Sequence, residues 1–163
     1  MEARDLIDRL QSEWHAERPE LDTAAMGVVG RLMILGDLLK KQAGDALAPF
    51  GLGYTDLDVL ATLRRSGPPY RLRPADLLRS VLIQSGSLTA CLDRLQKRGW
   101  VERVETPDDR RSRSVQLTDD GRELVDRAIE ARFRLADAQV ASLSAEDRDA
   151  LERLLRQLLL DQT

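Results

Sequence analysis

The segment from residue 74 to 117 changes its hydrophobic period, and this change constrains the fold more than any other feature. Apolar residues recur at helical spacing from Pro74 to Val81 and from Leu88 to Leu95, on either side of a small, polar turn at 84–87. Two short strand-like runs follow, at 100–104 and 114–117. This order predicts two short helices joined by a tight turn, with a β-hairpin directly behind them.

The hairpin carries an unusual charge pattern at its predicted tip, residues 105–113. Arg110, Arg111 and Arg113 lie within four positions, and such crowding is costly unless acids or a polyanion balance it. Asp108 and Asp109 can hold part of the cluster in shape, which leaves one arginine free to enter a minor groove. We therefore interpret the hairpin as a wing and the whole segment as a winged helix-turn-helix.

The second helix of the motif has a polar face opposite its leucines. This face offers Ser85, Ser87, Thr89, Ala90, Arg94 and Lys97. Short hydroxyl and methyl groups allow a helix to lie deep in a major groove, and Arg94 is long enough to reach a guanine edge or a phosphate. The same residues would also suit an ordinary solvated helix surface, so the helix by itself leaves both interpretations open.

Charge is distributed unevenly along the chain. The net charge is −3, yet residues 62–114 contain twelve Lys or Arg against six Asp or Glu. Because the local field determines where a polyanion docks, this segment is the expected site for double-stranded DNA.

The remainder of the sequence is predicted to be helical. The fold class is mainly α with a small β wing, and the apolar faces of the first and last helices are wide for a monomer. We expect a partner chain to bury these faces. Three parts are predicted: N-terminal helices for dimerisation and a possible effector pocket at 1–50, a DNA-binding lobe at 51–118, and C-terminal dimerisation helices at 119–163.

Several classes of protein are disfavoured by composition. No apolar run approaches the ~20 residues of a membrane span, and the charged start lacks a secretory segment, so a cytoplasmic location without membrane contact is expected. One cysteine and one histidine are too few for a structural zinc site. The sequence shows no nucleophile–base pair or phosphate loop. We expect no enzyme activity, catalytic residue, metal or cofactor.

Three runs carry a resemblance to a known family. They are Gly99-Trp100-Val101-Glu102-Arg103, Pro107-Asp108-Asp109-Arg110-Arg111 and Val115-Gln116-Leu117-Thr118-Asp119-Asp120-Gly121. They are similar to the MarR family, whose wing contains Asp-Arg-Arg followed by Leu-Thr-x-x-Gly, and the match extends from about 52 to 121. The resemblance implies an obligate, intertwined homodimer, with interlocked terminal helices and two winged lobes on a pseudo-palindromic operator. It also implies a repressor that a small aromatic or anionic effector releases.

A finer resemblance concerns the effector. The N-terminal extension around Trp14 and the segment 58–63 resemble the urate-responsive, PecS-type branch of the family. That resemblance places effector-binding side chains at Trp14, Asp58 and Arg103. It also places a fourth at Cys91, where the branch has an arginine, so an anionic purine would lose one cationic partner here. Urate itself is therefore in question as the effector.

Each of these effector residues also has a purely structural interpretation. Trp14 lies on an apolar helix face and would suit a core or a dimer interface. Asp58 would close a capping box with Thr55 at the start of the third helix. Cys91 flanks the leucine stripe and would suit an inert, buried thiol. Its alternative role is a redox switch in an oxidant-sensing regulator, with Arg94 and Arg103 lowering the pKa of the thiol.

Overall fold

The computed structural model describes residues 4–81, 85–106 and 109–162. Within these residues the chain forms helices and three strands, in the following order: α1 Leu6–Glu17, α2 Ala24–Leu47, a 3-10 turn Ala48–Phe50, α3 Tyr54–Arg65, β1 Arg71–Leu72, α4 Pro74–Ser80, α5 Ser85–Lys97, β2 Val101–Thr106, β3 Asp109–Leu117, α6 Asp119–Gln139 and α7 Ala145–Leu160. Among the described residues, no helix is both long and apolar enough to cross a membrane. The chain divides into two compact units, Met1–Asp45 and Ala46–Thr163.

The first unit pairs α1 with most of α2. Asp5 caps α1: its carboxylate accepts a hydrogen bond from the backbone N–H of Asp8, and the Asp8 carboxylate accepts one from the backbone N–H of Asp5. Arg31 of α2 binds both carboxylates, with Nε 2.8 Å from Asp5 and Nη2 2.6 Å from Asp8. Much of the apolar surface of this unit remains exposed, including Trp14, Val28, Leu32, Leu35 and Leu38.

The second unit has a continuous hydrophobic core beneath the helix-turn-helix. Leucines of α3, α4 and α5 pack with Val115 of β3 and Val125 of α6; the fully buried ones include Leu60, Leu63, Leu77 and Leu95. The sheet is antiparallel in the order β1-β3-β2. The predicted winged helix-turn-helix, mainly α with a small β wing, is confirmed.

The hairpin strands are longer than predicted. β2 continues to Thr106 and β3 begins at Asp109, so most of the predicted 105–113 tip belongs to the two strands, with Thr106 opposite Asp109. The pairing runs from Val101 opposite Leu117 outward and shifts register between Val104 and Thr106. The prediction treated polar residues as loop, but an extended backbone conformation does not require apolar side chains when one face of an antiparallel hairpin is not in the core.

The starts of α3 and α6 show what fixes the motif at its two ends. The predicted capping box of Thr55 and Asp58 is wrong: Gly53 is the N-cap of α3, and Asp56 accepts its N–H at 3.0 Å. Thr118 caps α6 as predicted, accepting the N–H of Gly121 at 3.0 Å. A Cβ on Gly121 would lie 2.0 Å from the carbonyl oxygen of Trp100, so only glycine permits this approach of α6 to the sheet.

Candidate nucleic-acid interface

Helix α5 separates its apolar and polar faces as predicted. Leu88, Leu92 and Leu95 are buried in the core, while the exposed residues include Ser87, Thr89, Ala90, Arg94 and Lys97. The side chain of Ser85 lies outside the described part of the chain. Gly99 ends the helix segment with φ 75°, a left-handed conformation that favours glycine. The short side chains thus occupy the N-terminal half of the exposed face and the cations its C-terminal half.

The wing backbone follows α5 directly. Arg110, Arg111 and Arg113 belong to β3, but their side chains, like residues 107 and 108, lie outside the described residues. The predicted role of these three arginines in a minor groove stays a prediction.

Arg94 is held by a buried acid that the sequence analysis did not single out. Its Nη2 and Nε lie 2.5 and 3.2 Å from Oδ1 of Asp56, whose side chain is only 8% exposed, whereas that of Arg94 is 47% exposed. Burial raises the pKa of Asp56, but hydrogen bonds from Arg94, the Gly53 N–H and Cys91 outweigh this, so its pKa lies below the usual value. Asp56 therefore joins the start of α3 to the exposed face of α5.

One sequence signal for Asp56 was available. Asp56, Leu60 and Leu63 follow the helical spacing of the buried face of α3, so the acid falls on a stripe that must face the core. A buried carboxylate requires a cationic or hydrogen-bonding partner. The sequence could not show that the partner is Arg94, 38 positions away.

Cys91 is buried beside the same carboxylate. Its Sγ donates to Asp56 Oδ1 at 3.3 Å. Burial first, and then the neighbouring Asp56, raise the pKa of the thiol to about 12, despite the opposing effect of Arg94. Arg94 does lower this pKa as expected, but burial and Asp56 outweigh it, and Arg103 pairs with Asp93 instead; the expected net lowering of the thiol pKa is therefore wrong.

Arg103 connects the first wing strand to α5. Its Nη2 lies 2.7 Å from Asp93 Oδ1 and its Nε lies 3.1 Å from Gln96 Oε1; both partners belong to α5. A second tie lies at the end of α5, where Arg98 donates to the Gly51 carbonyl at 2.8 Å. Polar contacts therefore connect α5 to the first wing strand through Arg103, and connect its C-terminal end to the segment after the 3-10 turn through Arg98.

The remaining predicted effector residues are placed as follows. Asp58 lies on α3 and is partly exposed. Trp14 lies on α1 in the first unit, 46% exposed. Whether Trp14, Asp58 and Arg103 bind one ligand stays a prediction.

Comparisons with known proteins agree with this architecture. The MarR family model matches residues 50–112. The HTH-type transcriptional regulator PecS of Dickeya dadantii is 34% identical over 155 residues, covering 95% of this chain and 91% of PecS. A MarR variant from Escherichia coli complexed with operator DNA superimposes with a TM-score of 0.71 and 25% identity, covering 96% and 99% of the two chains. Sco3205, a MarR family transcriptional regulator from Streptomyces coelicolor in complex with DNA, superimposes with a TM-score of 0.75 and 27% sequence identity. The match covers 88% of this chain and 94% of Sco3205.

The match to PecS covers nearly the whole of both chains, and the two DNA-complexed structures share the winged helix-turn-helix. The chain belongs to the MarR family of transcriptional regulators.

Proposed function

We propose that this protein is a sequence-specific repressor that binds a palindromic DNA operator as a homodimer and is released by a small anionic or aromatic effector. The observation that carries the proposal is α5, which buries its leucines and exposes a row of short and cationic side chains directly before a β-hairpin wing. The DNA complexes of the E. coli MarR variant and Sco3205, both similar to this chain along most of its length, support the same use.

We assign different roles to the polar-face residues of α5 according to their position along the helix. The N-terminal residues of a recognition helix are those that meet base edges. Ser85, Ser87, Thr89 and Ala90 are therefore our base-reading candidates. Arg94 and Lys97, in the C-terminal half, are assigned to phosphates, and the wing arginines to the minor groove.

The dimer is proposed from two exposed apolar surfaces. One lies on α1 and α2, as described above. The other lies on α7, where Leu151, Leu154, Leu155, Leu158 and Leu159 are all exposed. Apolar faces of this width require a partner, and a second copy of the chain supplies a symmetric one.

Effector response is proposed to act through Arg103. An anion that binds this guanidinium competes with Asp93, and Asp93 belongs to the DNA-reading helix. Loss of the Asp93 contact alone is not expected to release DNA; the bound anion must itself favour a different position of α5. Such a ligand dissociates DNA only to the extent that it prefers the non-binding state. Trp14 and Asp58 are the other candidate effector residues. The raised pKa of Cys91 argues against the alternative, oxidant sensing through its thiolate.

The test is selection from a pool of randomised 30-bp duplexes by the purified protein, followed by binding measurements on the enriched duplex and on a scrambled duplex of equal length. We expect an enriched inverted repeat and a preference for it of at least about a thousandfold. Equal affinity for both duplexes would contradict the proposal. Adding mild oxidant or small aromatic and purine anions to the complex then separates the effector mechanism from the redox alternative.

A further inference from the structure

We propose that Asp56 is a positioning residue for DNA binding, which holds the guanidinium of Arg94 in the orientation that contacts a DNA phosphate. The inference rests on the proposed function, because it concerns how α5 meets DNA. The inference assigns a role in DNA binding to Asp56, a residue that is not itself proposed to contact DNA.

The carboxylate of Asp56 is fixed from two sides. Oδ2 accepts the Gly53 N–H at 3.0 Å and so belongs to the start of α3, while Oδ1 accepts from Nε and Nη2 of Arg94. The group is almost fully buried and has little room to turn. Asp56 therefore offers Arg94 a rigid anchor that is part of the core rather than of the flexible surface.

Arg94 is suited to serve two partners at once. A guanidinium has five N–H donors in a fixed plane. Two of them are taken by Asp56, and about half of the side chain is exposed on the face of α5. A free arginine loses rotamer freedom when it binds a phosphate, but one already ordered by an acid has lost that freedom before the DNA arrives. Anchoring thus lowers the entropic cost of the contact.

Electrostatics alone predicts the opposite change in DNA affinity when Asp56 is removed. The direction of that change therefore tests the proposal. A carboxylate near DNA repels phosphates and offsets the charge of Arg94, so its removal would tighten binding. If Asp56 positions Arg94, its removal weakens binding although the protein becomes less negative. Asp56→Asn is the appropriate change, because the amide oxygen can still accept the Gly53 N–H and cap α3.

The experiment measures dissociation constants for the enriched duplex and for a scrambled duplex with wild type, D56N, R94A and the double variant. We expect D56N to weaken binding to both duplexes by roughly tenfold, the size expected for ordering one arginine in each of two subunits. We expect the double variant to bind no worse than R94A, because Asp56 acts through Arg94. Unchanged or tighter binding by D56N, or additive losses in the double variant, would overturn the proposal.

A matched control is Asp126→Asn. Asp126 also receives two hydrogen bonds from one arginine, Arg64 of α3, but it lies on α6 outside the proposed DNA-binding residues. We expect D126N to bind both duplexes like wild type. If D126N weakens DNA binding as much as D56N does, loss of any such ion pair is enough to weaken binding, and the positioning role of Asp56 is overturned.

Arg94→Lys keeps the proposal testable if D56N does not fold. Lysine retains the charge but lacks the planar fork that two donors on one carboxylate oxygen require. We expect R94K to bind both duplexes several-fold more weakly than wild type, and wild-type affinity would overturn the proposal. If the selection with wild type enriches no duplex, the proposed function fails, which is distinct from any of these outcomes.

Discussion

Cys91 Sγ lies 3.3 Å from Oδ1 of Asp56 and donates a hydrogen bond to that carboxylate. The thiol is buried and its pKa is raised to about 12, so at neutral pH it is protonated. We expect iodoacetamide to label the native protein at pH 8 at least about a hundredfold more slowly than the urea-unfolded protein, because the thiolate is the reactive form. Mass spectrometry of quenched samples measures both rates. Comparable rates would show that the native thiol is neither buried nor protonated.

Gly121 is required where α6 begins against the sheet. A side chain there would collide with the Trp100 carbonyl, and we expect Gly121→Ala to lower the free energy of unfolding by about 2–4 kcal/mol. Urea unfolding at a fixed protein concentration measures the change. Gly44→Ala is the control, since nothing lies within 4 Å of a Cβ at that helical position. It is expected to be neutral or to stabilise by up to about 1 kcal/mol. Equal effects of the two changes would contradict the close approach.

The lowered pKa of Asp56 predicts how the free energy of unfolding depends on pH. Its pKa is lowered in the folded protein, so its stabilising contribution is complete above the unfolded-state value of about 3.9 and is lost as the pH falls through the folded value. The difference in unfolding free energy between wild type and D56N is therefore expected to be constant above about pH 5 and to shrink below about pH 4. Urea titrations from neutral to acid pH follow it. A difference that stays constant to about pH 2 would contradict the lowered pKa.

Arg103 is expected to separate DNA binding from effector response. Arg103→Ala removes the contacts to Asp93 and Gln96 but leaves the exposed face of α5 intact. We expect it to keep operator affinity within about fivefold and to lose release by whichever of urate, xanthine or aromatic acids dissociates the wild type. Arg134→Ala is the control, because Arg134 is an exposed arginine of α6 that pairs with Glu130. We expect the effector to release DNA from this variant as it does from the wild type. Release of the Arg103 variant at the wild-type effector concentration would place the effector site elsewhere.

The wing and its flanks were predictable from sequence because their signals are local. The change from helical to alternating period, Gly99 at the end of α5 and Thr118 at the start of α6 each act through neighbours a few positions away. The strand ends were less predictable, since polar residues in a projecting hairpin resemble those of a loop.

The start of α3 and the environment of Cys91 depended on contacts distant in sequence. Asp56 follows Gly53, and Asp58 follows Thr55, at the same capping distance, so spacing alone could not choose between them. The structure caps α3 with Gly53 and Asp56, and the buried Asp56 pairs with Arg94 of the exposed face of α5. Burial, together with the neighbouring Asp56, raises the pKa of Cys91 and outweighs the effect of Arg94, which reverses the shift expected from the nearby arginines.

The most direct test of the account is the stoichiometry and footprint of the complex with the enriched duplex. One recognition helix per chain and exposed apolar faces on α1, α2 and α7 predict a symmetric dimer on an inverted repeat, with half-sites centred about 10 bp apart. Native mass spectrometry is expected to give two chains per duplex, and hydroxyl-radical footprinting to protect both half-sites equally. A single asymmetric half-site protected by one chain would contradict the account.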